Sequence, residues 1–185
     1  VYPNHTAIVH GKLRRNYSDF YSRSRQLASA LSKQGIARGD TVSVILSNTP
    51  AMLEAHYGVP MCGAVLHSIN TRLDPDTIAY QLDHANSKAL IVDREFLKTA
   101  KTSLELAGVS PILIEFNDSE YPIKESLPGA LEYEEFLLKG DKNYNWLMPE
   151  DEWDAISLNY TSGTTGNPKG VVSHHRGAYL LAQGN

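Results

Sequence analysis

Thr41-Val42-Ser43-Val44-Ile45-Leu46, followed at once by Ser47-Asn48-Thr49-Pro50, decides how this chain folds. The first six residues are rich in Val and Ile and read as a strand. Thr49-Pro50 pairs an N-cap residue with a first-turn proline, which opens a helix through about Met61. A strand joined to a helix by so short a connection is the repeating unit of an α/β fold.

The flanking sequence repeats the unit. Downstream, residues 64–69 read as a strand, and Asp74-Pro75 starts a helix to about Ala85. Residues 89–92 are a strand, 94–107 a helix and 111–116 another strand. Upstream, residues 6–10 form a short strand, with a turn at Gly11-Lys12. Ser18 or Asp19 then caps a helix to about Gln34. Phe20, Leu27, Ala28 and Leu31 share one face of it, and Gly35 ends it. Residues 117–128 are a polar surface loop, 131–138 a short glutamate-rich helix and 140–149 an irregular link. Residues 154–160 and 170–173 are strands, and 176–183 begin a helix. The alternation predicts an α/β fold with a doubly wound, mostly parallel sheet.

Composition narrows the function. The chain has 185 residues, 42% hydrophobic and 21% charged, with a formal net charge of −4. Acids and bases are mixed along it, so no nucleic-acid partner is expected. Cys62 is the single cysteine, which excludes an intramolecular disulfide and a multi-cysteine metal site. Its apolar setting, Val59 to Val65, reads as core. No apolar run reaches the roughly 18 residues of a membrane span. Without a recognisable signal peptide, a cytoplasmic location is expected. Organellar targeting from a segment upstream of Val1 stays open.

One polar stretch interrupts the apolar elements: Tyr160-Thr161-Ser162-Gly163-Thr164-Thr165-Gly166-Asn167-Pro168-Lys169-Gly170. Its glycines let backbone N–H groups converge on an anion. Thr161, Ser162, Thr164 and Thr165 add hydroxyls, and Lys169 adds a mobile positive charge. Pro168 stiffens the exit. The Walker A pattern requires Gly-Lys followed by Ser or Thr. Here Pro168 precedes Lys169 and Gly170 follows it, so that loop does not match. Composition leaves two readings, a phosphate cradle and a flexible linker. The flanking strands and the Pro-Lys-Gly ending favour the cradle.

This stretch, with Val171, resembles the signature loop of the adenylate-forming enzymes, the AMP-binding superfamily of acyl-CoA synthetases, adenylation domains and luciferases. Residues 154–160 and the tail Ser173-His174-His175-Arg176-Gly177-Ala178-Tyr179-Leu180 look most like the medium- and long-chain fatty acyl-CoA synthetase branch. Residues 38–44 and 63–73 resemble earlier family segments in order and spacing. The resemblance covers the whole chain but only the opening part of a family member. Residues 1–185 are therefore expected to be a partial N-terminal AMP-binding domain.

The resemblance implies an ATP-dependent ligase. A carboxylic acid, here a fatty acid, would be activated as acyl-AMP, and coenzyme A would then displace AMP. Thr161, Ser162, Gly163, Thr164, Thr165, Gly166 and Lys169 would line the phosphate site, with Lys169 stabilising phosphate charge. Thr161 would face Mg²⁺. His175 would lie near the acyl pocket or serve as a packed structural histidine. His174 and Arg176 are assigned to structure or solubility, and His67 and His84 receive no role. A homodimer is one arrangement open to the full-length protein. The family's later motifs are absent, so the isolated chain is expected to be inactive. An adenylation domain loading a carrier protein, and a truncated non-catalytic nucleotide-binding module, are the alternatives.

Overall fold

The run at 41–46 forms the central strand. In the computed structural model, which describes residues 2–161 and 167–184, β3 (Thr41–Ile45) is buried along its whole length. It pairs in parallel with β4 (Val65–Ser68) on one side and β5 (Ser87–Asp93) on the other. Beyond β5 lie β6 (Ile112–Phe116) and the two-residue β7 (Leu131–Glu132), both parallel. Beyond β4, β8 (Ala155–Thr161) is parallel, and β9 (Lys169–His174) forms the edge antiparallel to β8. The order is β7-β6-β5-β3-β4-β8-β9. The chain leaves β3 for β4 and then crosses back to β5, so the winding reverses at β3.

Side-chain alternation along these strands builds two cores. Val42, Val44, Ala89 and Ile91 face α1 (Tyr17–Lys33), α2 (Pro50–Met61) and α5 (Tyr133–Leu138). Ile45, Leu90 and Val92 face α3 (Pro75–His84) and α4 (Leu97–Leu106). Both faces are therefore covered in the middle of the sheet, as a parallel sheet requires. Cys62 lies in the first core, and burial pushes its thiol pKa up to about 11.

The helix starts obey local chemistry. Thr49 and Asp74 are N-caps and each is followed by proline, as predicted. The Asp74 carboxylate accepts the Thr77 amide at 2.9 Å. The cap of α1 differs from expectation. Asn16, not Ser18 or Asp19, holds the first turn, its side chain accepting the Asp19 amide at 2.8 Å. Asn16 is the last residue of β2 (Leu13–Asn16), which pairs with β1 (Thr6–His10) in a separate two-stranded sheet. Leu-Arg-Arg-Asn carries too little apolar patterning to read as a strand. Gly35 follows α1 at φ +87°, a conformation that suits glycine.

Two predicted helices are divided. Residues 94–96 form a 3₁₀ turn before α4, capped by the Asp93 side chain accepting the Glu95 amide, and the Arg94 guanidinium bonds Glu115 and the Ile123 carbonyl. Residues 131–132 are strand because they pair with β6, and Glu132 then caps α5 by accepting the Glu135 amide at 2.9 Å.

A buried charged hub joins the first layer. Glu54 on α2 is fully buried. Its carboxylate accepts from Arg15 at 2.7 Å, from Arg23 at 2.6 and 3.2 Å, and from the Tyr133 hydroxyl at 2.8 Å. Arg23 also bonds Glu134. Nothing in the local pattern of α2 announced this hub, which ties β2, α1, α2 and α5 together.

The far edge is different. β9 and α6 (His175–Gly184) expose apolar side chains, with Val172 60%, Leu180 52% and Leu181 68% accessible. Among the described residues no helix is long and apolar enough to cross a membrane.

Candidate functional site

The polar stretch joins β8 to β9. Thr161 is the last residue of β8 and Lys169 the first of β9, and the two are cross-strand partners. Both are exposed. Ser162, Gly163, Thr164, Thr165 and Gly166 lie outside the described residues. The hairpin therefore presents one hydroxyl and one ammonium side by side, where the predicted cradle begins and ends. Cross-strand neighbours have Cβ atoms about 5 Å apart, close enough to act on one ligand.

Tyr160 and Gly170 form the next pair down the ladder. A Cβ added at Gly170 would lie 3.1 Å from Leu158 Cδ1 and 3.6 Å from the Tyr160 ring. A side chain here would press on Leu158 and rest against the Tyr160 ring, so the site leaves little spare room above the Gly170 backbone.

His67 and His84, given no role by sequence, gather around Tyr160. His67, on β4, is fully buried. Its Nδ1 shares a hydrogen bond with Ser43 Oγ at 2.8 Å, and Ser43 Oγ shares another with Ser87 Oγ at 2.6 Å. Its Nε2 has no hydrogen-bond partner among the described residues. Burial pushes its pKa down to about 4, with a weaker upward pull from the Gln81 side chain. Its ring lies 5.0 Å from that of Tyr160. His84 Nδ1 and the Tyr160 hydroxyl share a hydrogen bond of 2.7 Å. No short motif links residues 67, 84 and 160, so only the fold reveals the cluster.

The histidine-rich tail stands at the other end of β9. From Lys169 to His175 is six residues along the chain, about 20 Å at strand spacing. The structure therefore does not bring His175 together with Lys169. His175 is half-buried and borders a cavity of about 520 Å³ with Tyr57, Pro60, Met61, Met148 and Ile156. Burial lowers its pKa, Asp154 opposes this, and Arg38 adds to it.

His174 and Arg176 serve local structure. His174 Nδ1 accepts the Gly177 amide at 2.9 Å in the first turn of α6, and its ring packs 4.5 Å from Trp153. Arg176 bonds Glu152 at 2.7 Å and lies over the Trp153 ring. A larger hollow, about 770 Å³, sits between β1 and the start of α2 and contains none of the motif residues.

Among the described residues no group of three or more His, Cys, Asp and Glu is placed to hold a metal ion. The Thr161 hydroxyl is a hard oxygen donor, which suits Mg²⁺ as one ligand beside phosphate and water oxygens. The residues present fit that limited role.

A family model described as "AMP-binding enzyme" matches residues 1–184. Among curated proteins, the chain is 49% identical to the peroxisomal acetate/butyrate–CoA ligase AAE7 of Arabidopsis thaliana, over 100% of this chain and 34% of that protein. It is 44% identical to the acetate–CoA ligase CCL3 of Humulus lupulus, over 98% of this chain and 34% of that one. It is also 44% identical to a peroxisomal benzoate–CoA ligase of Arabidopsis thaliana, over 97% and 32%. The chain thus spans about a third of the length of these curated relatives. Among solved structures, the anthranilate CoA ligase AuaEII in complex with anthranoyl-AMP superposes with a TM-score of 0.89 at 24% identity, covering 98% of this chain and 34% of that one. That likeness establishes the fold: an α/β domain with a mostly parallel sheet.

Proposed function

The chain belongs to the AMP-binding enzyme family, and on that premise we propose that it is the N-terminal part of an AMP-forming acid–CoA ligase. The whole protein would join a carboxylic acid to coenzyme A with ATP. The acid carboxylate attacks the α-phosphate, forming acyl-AMP and releasing pyrophosphate. The coenzyme A thiol then attacks the acyl carbonyl and AMP leaves.

The observation that carries this reading is the β8–β9 hairpin, which sets Thr161 and Lys169 opposite each other at the two ends of the signature stretch. Lys169 and the motif residues Thr161, Ser162, Gly163, Thr164, Thr165 and Gly166 are assigned to the departing phosphates. Charge stabilisation there favours the transition state of the first step. Mg²⁺, when bound, would neutralise phosphate charge, with the Thr161 hydroxyl as one of its oxygen ligands. His175 belongs outside the phosphate site, and its place beside the acid rests on the resemblance and on the apolar cavity it borders.

The acid is proposed to be small. The sequence tail suggests a fatty acid of medium or long chain, but the relatives at 44–49% identity are named for acetate, butyrate and benzoate. Their names also favour coenzyme A over a carrier protein as acceptor. Two of the three carry a peroxisomal designation, which favours that compartment over the expected cytoplasmic one. The test is thioester formation by the full-length protein with ATP, coenzyme A and a panel of acids. Turnover of acetate, butyrate or benzoate supports the reading. Turnover of palmitate alone would overturn the small-acid assignment, and no ATP-dependent thioester with any acid would overturn the whole.

A further inference from the structure

We propose that Tyr160, held by His84 and His67, is a positioning residue that fixes where Thr161 and Lys169 stand relative to the body of the domain. The inference rests on the assignment of those two residues to the ATP phosphates.

The sheet stops supporting the hairpin before its tip. β8 pairs with β4 only at Leu66–Ser157 and His67–Leu158. β4 ends at Ser68, whereas β8 continues to Thr161. On its other side β8 has only β9, the edge strand. The last residues of β8 and the first of β9 therefore extend past the ladder that anchors them. A two-stranded ribbon twists and bends more easily than a strand inside a sheet. Something other than backbone pairing must set its angle.

Tyr160 is placed to do so. Side chains alternate along a strand, so Leu158 and Tyr160 share the face opposite Thr161. That face turns toward α3, where the His84 imidazole bonds the tyrosine hydroxyl at 2.7 Å. The imidazole is itself steadied by Tyr80, one helical turn earlier, stacked at 5.5 Å and 25°. The buried His67 ring lies against the tyrosine ring at 5.0 Å. The same ring lies beside Gly170, its cross-strand partner on β9. Tyr160 thus ties β8, β9, β4 and α3 together one residue before Thr161. An aromatic ring with one polar tip suits this work, since the body packs while the hydroxyl fixes direction.

The role differs from catalysis by contact. Losing the hydroxyl bond leaves the core and Lys169 intact but frees the hairpin to swing. Phosphate binding then suffers, while the acid site does not. The full-length protein is the material for the test, with KM for ATP and for the acid measured separately in Tyr160→Phe, His84→Ala, the double variant and His84→Gln. The two single variants are expected to raise KM for ATP roughly three- to tenfold, with KM for the acid within about twofold of the unsubstituted protein. The double variant is expected to match the worse single one, because both remove one bond. His84→Gln, which keeps a hydrogen-bonding group, is expected to recover most of the loss. Melting temperatures are expected to stay within about 2 °C of each other.

KM for ATP unchanged in both single variants would overturn the positioning role. So would losses that multiply in the double variant, or both KM values rising together with a fall in melting temperature. An unsubstituted protein that forms no thioester would overturn the assignment beneath it, and this inference with it.

Discussion

His67 makes the stability of this domain depend on pH through one buried ring. Its side chain is fully buried, and Nε2 meets no hydrogen-bond partner among the described residues. Protonation would therefore put a cation inside the sheet with only the weak pull of the Gln81 side chain to offset it, and burial holds the folded pKa down at about 4. An unfolded histidine takes its proton near pH 6.5. Between those values the unfolded chain binds the extra proton and the folded chain does not, so stability rises with pH. The contribution is fully present above about pH 6.5 and is lost as pH falls toward 4. The whole loss is about 3 kcal/mol, of which about 2 kcal/mol falls between pH 7 and pH 5. Urea denaturation followed by circular dichroism, on the chain and on His67→Gln, isolates this share because the other histidines titrate in both. The unsubstituted chain is expected to lose about 2 kcal/mol more than the variant over that interval. Equal losses in the two proteins would show that His67 does not carry this pH dependence.

Removing charge at the buried hub is expected to be costly. Glu54→Gln should destabilise the domain by about 3 kcal/mol, because Arg15 and Arg23 lose the carboxylate that balances them; an unshifted urea midpoint would contradict this. Cys62 should resist a thiol reagent at neutral pH in the folded chain and react fully in denaturant, since burial both shields it and raises its pKa to about 11. Rapid labelling of the native chain would show that the core around it opens. Replacing Leu180 and Leu181 by Glu and Lys should reduce self-association of the isolated chain, seen by sedimentation, because both side chains are exposed on α6. Identical sedimentation would place the sticky surface elsewhere.

What the sequence revealed depended on how local the determinant was. β3, α2 and α3 were legible because Val/Ile runs and the Thr49-Pro50 and Asp74-Pro75 pairs act within a few residues. β2 was missed because Leu13–Asn16 is polar and becomes a strand only by pairing with β1. The splitting of 94–107 was missed because a single side-chain cap, Asp93 on the Glu95 amide, sets the 3₁₀ turn apart from α4. The polar stretch stands out in the sequence by composition, and the structure adds that Thr161 and Lys169 face each other across its hairpin. The cluster of His67, His84 and Tyr160 was not, since its members come from three elements and meet only when the sheet forms. Glu54 likewise looked like one more helix carboxylate until α1 and α5 closed over it.

The hairpin carrying Thr161 and Lys169 is proposed to serve adenylate formation. Carboxylic-acid-dependent exchange of labelled pyrophosphate into ATP, measured on the full-length protein and on Lys169→Ala, tests it most directly. Exchange is expected with a small acid, with a fall of roughly a hundredfold or more in the variant. Exchange of equal rate in both proteins, or none in either, would contradict it.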